Sequence, residues 1–253
     1  MNVPTHHRGG MARRAAARLA AAAVAIPLLI AAGTTGAQTT PHFEDTTAQR
    51  VLACTGCHGA QGRAASDGYY PRIAGKPPLY LYHQLLSFRD GRREYPLMAN
   101  LLAPLDDAYL KEFAEHFASL DIPYPPPQPP TADAATLARG EQLVQRGDPE
   151  RKLPGCVQCH GSALMGVQPA IPALLGMPRD YLNGQLGAWR NGARHALAPD
   201  CMAQIAQRLD PADISAVSQW LAAQPVPAGA HAADALPSPL PLACGGVPAG
   251  SVR

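Results

Sequence analysis

Wherever apolar residues recur periodically in this chain, the period is helical. Over 79–89 the apolar positions Leu79, Tyr82, Leu85, Leu86 and Phe88 fall on neighbouring turns, which predicts an amphipathic helix. Behind Asp106, a residue type suited to capping, Tyr109, Leu110, Phe113, Phe117 and Leu120 share one face of another helix. Residues 134–146 and 181–190 read the same way, and a helix over 43–53 precedes them all. Asp210 followed by Pro211 marks the start of a last helix, with Ile214, Val217 and Leu221 on its inner face. No segment alternates with period two, so no strand is predicted.

Two stretches break this pattern. Segment 122–132 is dense in proline (Pro123, Pro125, Pro126, Pro127, Pro129, Pro130) and reads as an extended, semi-rigid spacer. The tail 225–253 carries Pro225, Pro227, Pro237, Pro239 and Pro241 and has too few large apolar residues to form a domain. At the other end, Arg13, Arg14 and Arg18 precede an apolar run over 19–32, shorter than a membrane span needs. Thr35-Gly36-Ala37 then offers a small-residue cleavage site, so 1–37 reads as an export signal rather than an anchor, starting at Met1 or Met11. Removing its four arginines turns the formal charge from +2 to −2. No basic stripe remains to suggest nucleic acid.

The regions on either side of the spacer repeat each other. Cys54-Thr55-Gly56-Cys57-His58 returns 102 residues later as Cys156-Val157-Gln158-Cys159-His160. Pro71-Arg72-Ile73-Ala74-Gly75 is echoed by Pro172-Ala173-Leu174-Leu175-Gly176. Tyr80-Leu81, Gln84-Leu85, Phe88-Arg89 and Gly91 match Tyr181-Leu182, Gln185-Leu186, Trp189-Arg190 and Gly192, and Leu105-Asp106 matches Leu209-Asp210. Repetition on this scale is a duplicated domain, not a solenoid. It predicts an all-α chain with one domain over 38–121 and a second over 133–224.

Cys-x-x-Cys-His is the attachment signature of c-type haem. Two thiols at that spacing reach both vinyl groups of one porphyrin, and the histidine that follows lies under the iron. A zinc half-site or a thioredoxin-like pair needs Cys-x-x-Cys but no adjacent histidine, still less twice. The expected cofactors are therefore two covalently attached haems c, on Cys54, Cys57, Cys156 and Cys159, with His58 and His160 on iron. Met98 follows its histidine by 40 residues and Met202 by 42, each eight positions before its capping aspartate. That equivalence makes them the expected sixth ligands. Met165 comes too soon after His160, and Met177 has Lys76 as its counterpart. His83, His116 and His195 have no histidine partner in the other copy and read as surface residues. Each copy is small enough for its core to be marginal without the porphyrin.

Arg72, Arg89, Arg190, Tyr80 and Trp189 are candidates for the haem propionates, the alternative being solvated arginines and core aromatics. Cys201 and Cys244 are left over, as a disulfide or as two separate thiols.

With these motifs, residues 43–224 resemble the cytochrome c4 family of periplasmic dihaem proteins built from two fused class I cytochrome c domains. The resemblance implies two small helical bundles with haems facing across their interface. It also implies single-electron transfer from a quinol-oxidising complex or a dehydrogenase toward a terminal oxidase, with membrane-surface association only through partners. Three features depart from the family pattern: Cys201 beside Met202, the proline-rich spacer, and the long tail, which a Cys201–Cys244 bridge would pin over the second haem. A diffusible carrier and a dehydrogenase subunit share these haems. A dihaem enzyme, a peroxidase or a thiosulfate-oxidising catalyst, needs an open iron, and two matched methionines speak against one.

Overall fold

The computed structural model describes residues 44–64 and 68–249. The expected export signal over 1–37, and Phe43, lie outside that range. The single helix expected over 43–53 is two: α1 (Thr47–Arg50) and α2 (Leu52–His58). Thr46 caps α1 through the Gln49 amide, and the backbone turns at Val51, so the haem-motif cysteines ride on their own helix. α3 (Pro78–Arg89), α4 (Pro96–Leu102) and α5 (Asp107–Ala118) complete the first half. The second half runs α6 (Ala134–Gln145), α7 (Val157–His160), α8 (Arg179–Arg190), α9 (Cys201–Arg208) and α10 (Pro211–Ala223).

The caps explain why the longer helices start where the hydrophobic period places them. Asp106, Asp133 and Asp210 accept hydrogen bonds from the amides of Tyr109, Thr136 and Asp213 at 2.8–2.9 Å. α3 opens on Pro78, whose missing N–H costs nothing in the first turn. α4 and α9 were not expected, because seven or eight residues are too few for a period to declare itself. One hairpin corrects the expectation of no strand: β1 (Gly147–Asp148) pairs antiparallel with β2 (Leu153–Pro154). Two residues per strand cannot show alternation. The turn back is made at Lys152, in the left-handed region at φ 53°.

Each half has its own core. In the first, Val51, Leu81, Phe113, Ala114 and Phe117 pack together, beside a smaller group of Phe88, Leu102 and Leu110. In the second, a larger cluster joins Leu143 and Val144 of α6 to Ile214, Val217 and Leu221 of α10, with Leu153 and Leu182. Here α6 and α10 cross at Gly140, where a Cβ would run into the Ala216 carbonyl. The crossing is braced by charge. Buried Asp213 accepts from Arg139 at 2.9 Å and Arg151 at 2.6 Å, and both arginines also bind Asp148 of the hairpin. α6, α10 and the hairpin leading to Cys156 are thereby locked together.

The spacer 122–132 has no helix or strand and is fastened along its length. The Gln128 amide donates to Ala222 O at 2.8 Å, and the Thr131 amide to the Gln219 side chain at 3.1 Å. The tail, too poor in apolar residues for a domain, nevertheless buries Leu236 against Val167 and Ile171 and closes a Cys201–Cys244 disulfide. No helix among the described residues is long and apolar enough to cross a membrane.

Candidate haem sites

The two Cys-x-x-Cys-His segments fold alike. α2 ends at His58 and α7 at His160, and each helix is stopped by a glycine at positive φ, Gly59 (74°) and Gly161 (81°). A Cβ on Gly59 would collide with the Ala64 carbonyl, so only glycine makes this turn. The chain then doubles back: the Ala64 amide donates to His58 O and the Gly166 amide to His160 O, at 2.8 and 2.9 Å. Both histidines are buried. His58 Nδ1 lies 2.8 Å from Pro71 O, and His160 Nδ1 lies 2.8 Å from Pro172 O. A carbonyl can only accept, so Nδ1 carries the proton and Nε2 keeps its lone pair for a metal. Burial lowers both imidazole pKa values, which favours the same neutral form.

Cys54, Cys57, Cys156 and Cys159 are not disulfide-bonded. Burial raises the Cys54 thiol and pushes Cys156 up to about 12 and Cys159 to about 11. That is the reverse of the lowered thiol of a reactive redox pair. Among the described residues no group of three or more His, Cys, Asp or Glu side chains is placed to hold a metal ion. The donor set therefore suits a porphyrin, which brings its own four nitrogens.

The expected sixth ligands lie on the two short helices, Met98 in α4 and Met202 in α9, both half-buried. Met165 and Met177 are buried in the second core, as filler. His195 is exposed, whereas His83 and His116 are half-buried.

The propionate candidates divide. Arg72 is buried and donates to Ala74 O, Pro123 O and Ile122 O, with its guanidinium 4.0 Å from the Tyr124 ring. It anchors the spacer through three of its five N–H donors. Arg89 and Arg190 donate to the equivalent carbonyls of Leu105 and Leu209, and Arg89 also pairs with Asp90 and Asp107. Tyr80 and Trp189 instead face an interior cluster that sequence reasoning missed. Arg93 donates to Gln84, Gln185 and Tyr181, while Arg194 donates to Gln185, Gln84 and Tyr80. The arginines stack on equivalent aromatics, Arg93 4.3 Å from the Phe88 ring and Arg194 3.7 Å from that of Trp189. Their backbones form an antiparallel bridge that zips the halves together, with the Glu94 amide donating to Ala193 O at 2.8 Å.

Lys76 is also buried here, its Nζ 3.5 Å from Met177 Sδ. None of the hydrogen bonds or ion pairs described for these three cations is to a carboxylate. The Trp189 indole N–H is buried without an acceptor. A site with buried cations and an orphaned donor is built for anions brought by a guest, as haem propionates are. The signal was present in the sequence: Arg93 and Arg194 stand at the same offset as Gly91 and Gly192.

A family model for cytochrome c matches residues 137–224. A cytochrome c4 from Pseudomonas aeruginosa is 30% identical, over 78% of this chain and 96% of its own length. The chain belongs to the cytochrome c4 family. A thiosulfate dehydrogenase electron acceptor from Thiomonas intermedia is 39% identical over 70% of this chain and 80% of its own length. The crystal structure of reduced cytochrome c4 from Pseudomonas stutzeri superposes with a TM-score of 0.61 at 28% identity, covering 70% of this chain and 96% of that one.

Like those relatives, this cytochrome has the helical class I fold, carries covalently bound haem c, and exchanges electrons with redox partners. It is an electron-transfer protein rather than an enzyme.

Proposed function

We propose that this cytochrome binds two haems c, one in each half. Cys54 and Cys57 hold the first by thioethers, with His58 and Met98 as axial ligands. Cys156 and Cys159 hold the second, with His160 and Met202. The domains run over 38–121 and 133–224, joined by the spacer 122–132 and followed by the tail 225–253. The observation that carries this reading is the twice-made bond from histidine Nδ1 to a proline carbonyl, which leaves Nε2 unprotonated at the same place in each repeat.

Haem iron held by these residues would supply a one-electron couple, and a methionine ligand beside the histidine would raise its potential. The chain does the rest. His58 and His160 are held in one tautomer and one orientation, so little has to move when an electron arrives. Arg93, Arg194, Lys76, Tyr80, Tyr181 and Trp189 form the donor lining for the propionates between the halves. Haems held beside that lining would supply electrons with an internal route between the halves.

The protein works in the periplasm after removal of 1–37. It passes electrons toward a terminal oxidase from either a quinol-oxidising complex or a dehydrogenase. The 39% identity to an electron acceptor of thiosulfate dehydrogenase favours a dehydrogenase as donor. The mass of the purified mature protein tests the core of this reading and should exceed that of the polypeptide by two haems. Met98→Ala and Met202→Ala should each remove about half of the methionine–iron charge-transfer band, since each takes one of two ligands. A polypeptide mass, or a full band in either variant, would refute the assignment. Stopped-flow reduction by a thiosulfate dehydrogenase against a quinol-oxidising complex decides the donor.

A further inference from the structure

The tail is fastened to the second half at three places. Near its start, the Ala233 amide donates to Gly166 O at 3.0 Å, and Ala233 O accepts from the Gln168 amide at 2.8 Å. Gly166 is the residue whose own amide binds His160 O. This end of the tail is therefore fastened to the segment that carries the proximal histidine. In the middle, Leu236 is buried against Val167 and Ile171 of the same segment. At the far end, Cys244 is bonded to Cys201, the residue directly before Met202. The next amide, Gly245, donates to Pro199 O at 2.9 Å, and a Cβ on Gly245 would collide with the Ala198 carbonyl, so the fit against the start of α9 is close.

Among the described residues the first half has nothing equivalent. Leu97 stands where the second half has Cys201, one place before its methionine, and is 64% exposed. After α5 the chain leaves into the spacer rather than returning across α4.

We propose that residues 233–247 are a strap that positions Met202, with the Cys201–Cys244 disulfide as its lock. The strap ties the methionine-bearing helix to the histidine-bearing segment, so the second haem crevice opens only if the strap lets go. Cys201 and Cys244 are thus positioning residues for the second iron, and the first iron does without them. The inference rests on Met202 being the sixth ligand.

The test uses the full-length holoprotein in two forms: Cys244→Ser, and the wild type with its disulfide reduced by a phosphine, alkylated, and its haems reoxidised. Opening is verified by mass. The expected result in both forms is a loss of up to half of the methionine–iron band, carbon monoxide binding to one reduced haem per chain, and a fall in one of the two midpoint potentials. Met202→Ala serves as reference and should lose the same half of the band. A full band in Met202→Ala would overturn the ligand assignment, and the strap with it. If Met202→Ala loses its half while both opened forms keep the full band and exclude carbon monoxide, the ligand stands and the strap is wrong. Equal losses at both haems also count against it, because only one is strapped.

Discussion

Lys76 makes the anion-binding reading quantitative. Burial brings its ammonium from an ordinary 10.5 down to about 8, since water is replaced by apolar groups and by the like charges of Arg72, Arg194 and Arg93. That displacement corresponds to about 3 kcal/mol. The folded pKa lies below the unfolded one, so the polypeptide alone bears the full penalty below about pH 8. It is relieved as pH rises toward 10.5, where the unfolded chain holds the proton longer. If nothing neutralised Lys76, Lys76→Met would stabilise the protein by about 3 kcal/mol at pH 7, and the gain would fade by pH 10.5. If a propionate lies against Nζ, the same substitution strands a buried carboxylate and costs about 1–3 kcal/mol instead. The expected sign is a loss. Urea unfolding of the oxidised holoprotein at pH 7 and pH 10 reads it directly. A variant more stable than wild type at pH 7, with the difference shrinking at pH 10, would show that no anion faces Lys76.

Other outcomes follow from the second half. Asp213→Asn should cost about 2–3 kcal/mol, less than a fully buried pair because Arg139 and Arg151 are one third exposed. Differential scanning calorimetry should show the second half melting earlier and the first unchanged; equal shifts in both would contradict the local bracing. The same arginines hold the Asp213 and Asp148 carboxyls below the usual carboxylate range. Their stabilisation is present above about pH 4 and is lost as pH falls through the lowered values, so acid unfolding of the second half should shift upward in pH in Asp213→Asn. Gly140→Ala should destabilise by about 1–3 kcal/mol despite its better helix propensity, because the α6–α10 crossing has no room for a Cβ. An unchanged melting temperature would mean that the helices can part. Cys244→Ser opens a loop spanning 43 residues and should cost up to about 4 kcal/mol of stability toward urea.

What could be read beforehand followed from how each feature is encoded. The haem cysteines, histidines and methionines are local motifs that recur in register, so duplication exposed them even though the helices carrying the methionines stayed hidden. α4 and α9 are too short for a hydrophobic period and are held by what surrounds them: a proline start for one, and for the other an Asp200 cap and a disulfide. The arginines show the harder limit. Arg72, Arg89 and Arg190 stand beside recognisable motifs, which makes them candidates for propionates or solvated arginines alike, and in the fold each donates to backbone carbonyls, Arg89 to Asp90 and Asp107 as well.

Arg93 and Arg194 sit in loops two places after the matched Gly91 and Gly192, but only folding turns them against the opposite repeat's tyrosine and glutamine. A charge's role depends on which acceptors reach it in three dimensions, and spacing along the chain carries little of that. The residue that breaks the repeat is informative in the same way. Met177 has Lys76 opposite it in sequence, which looked like mere absence of support for a ligand, but the two side chains meet between the halves, 3.5 Å apart. Duplication gave both halves the same Cys-x-x-Cys-His motif and an equivalent methionine. Substitution at this matched pair put a cation on one side and a thioether on the other, and with the disulfide at the start of α9 it makes the surroundings of the two motifs unequal.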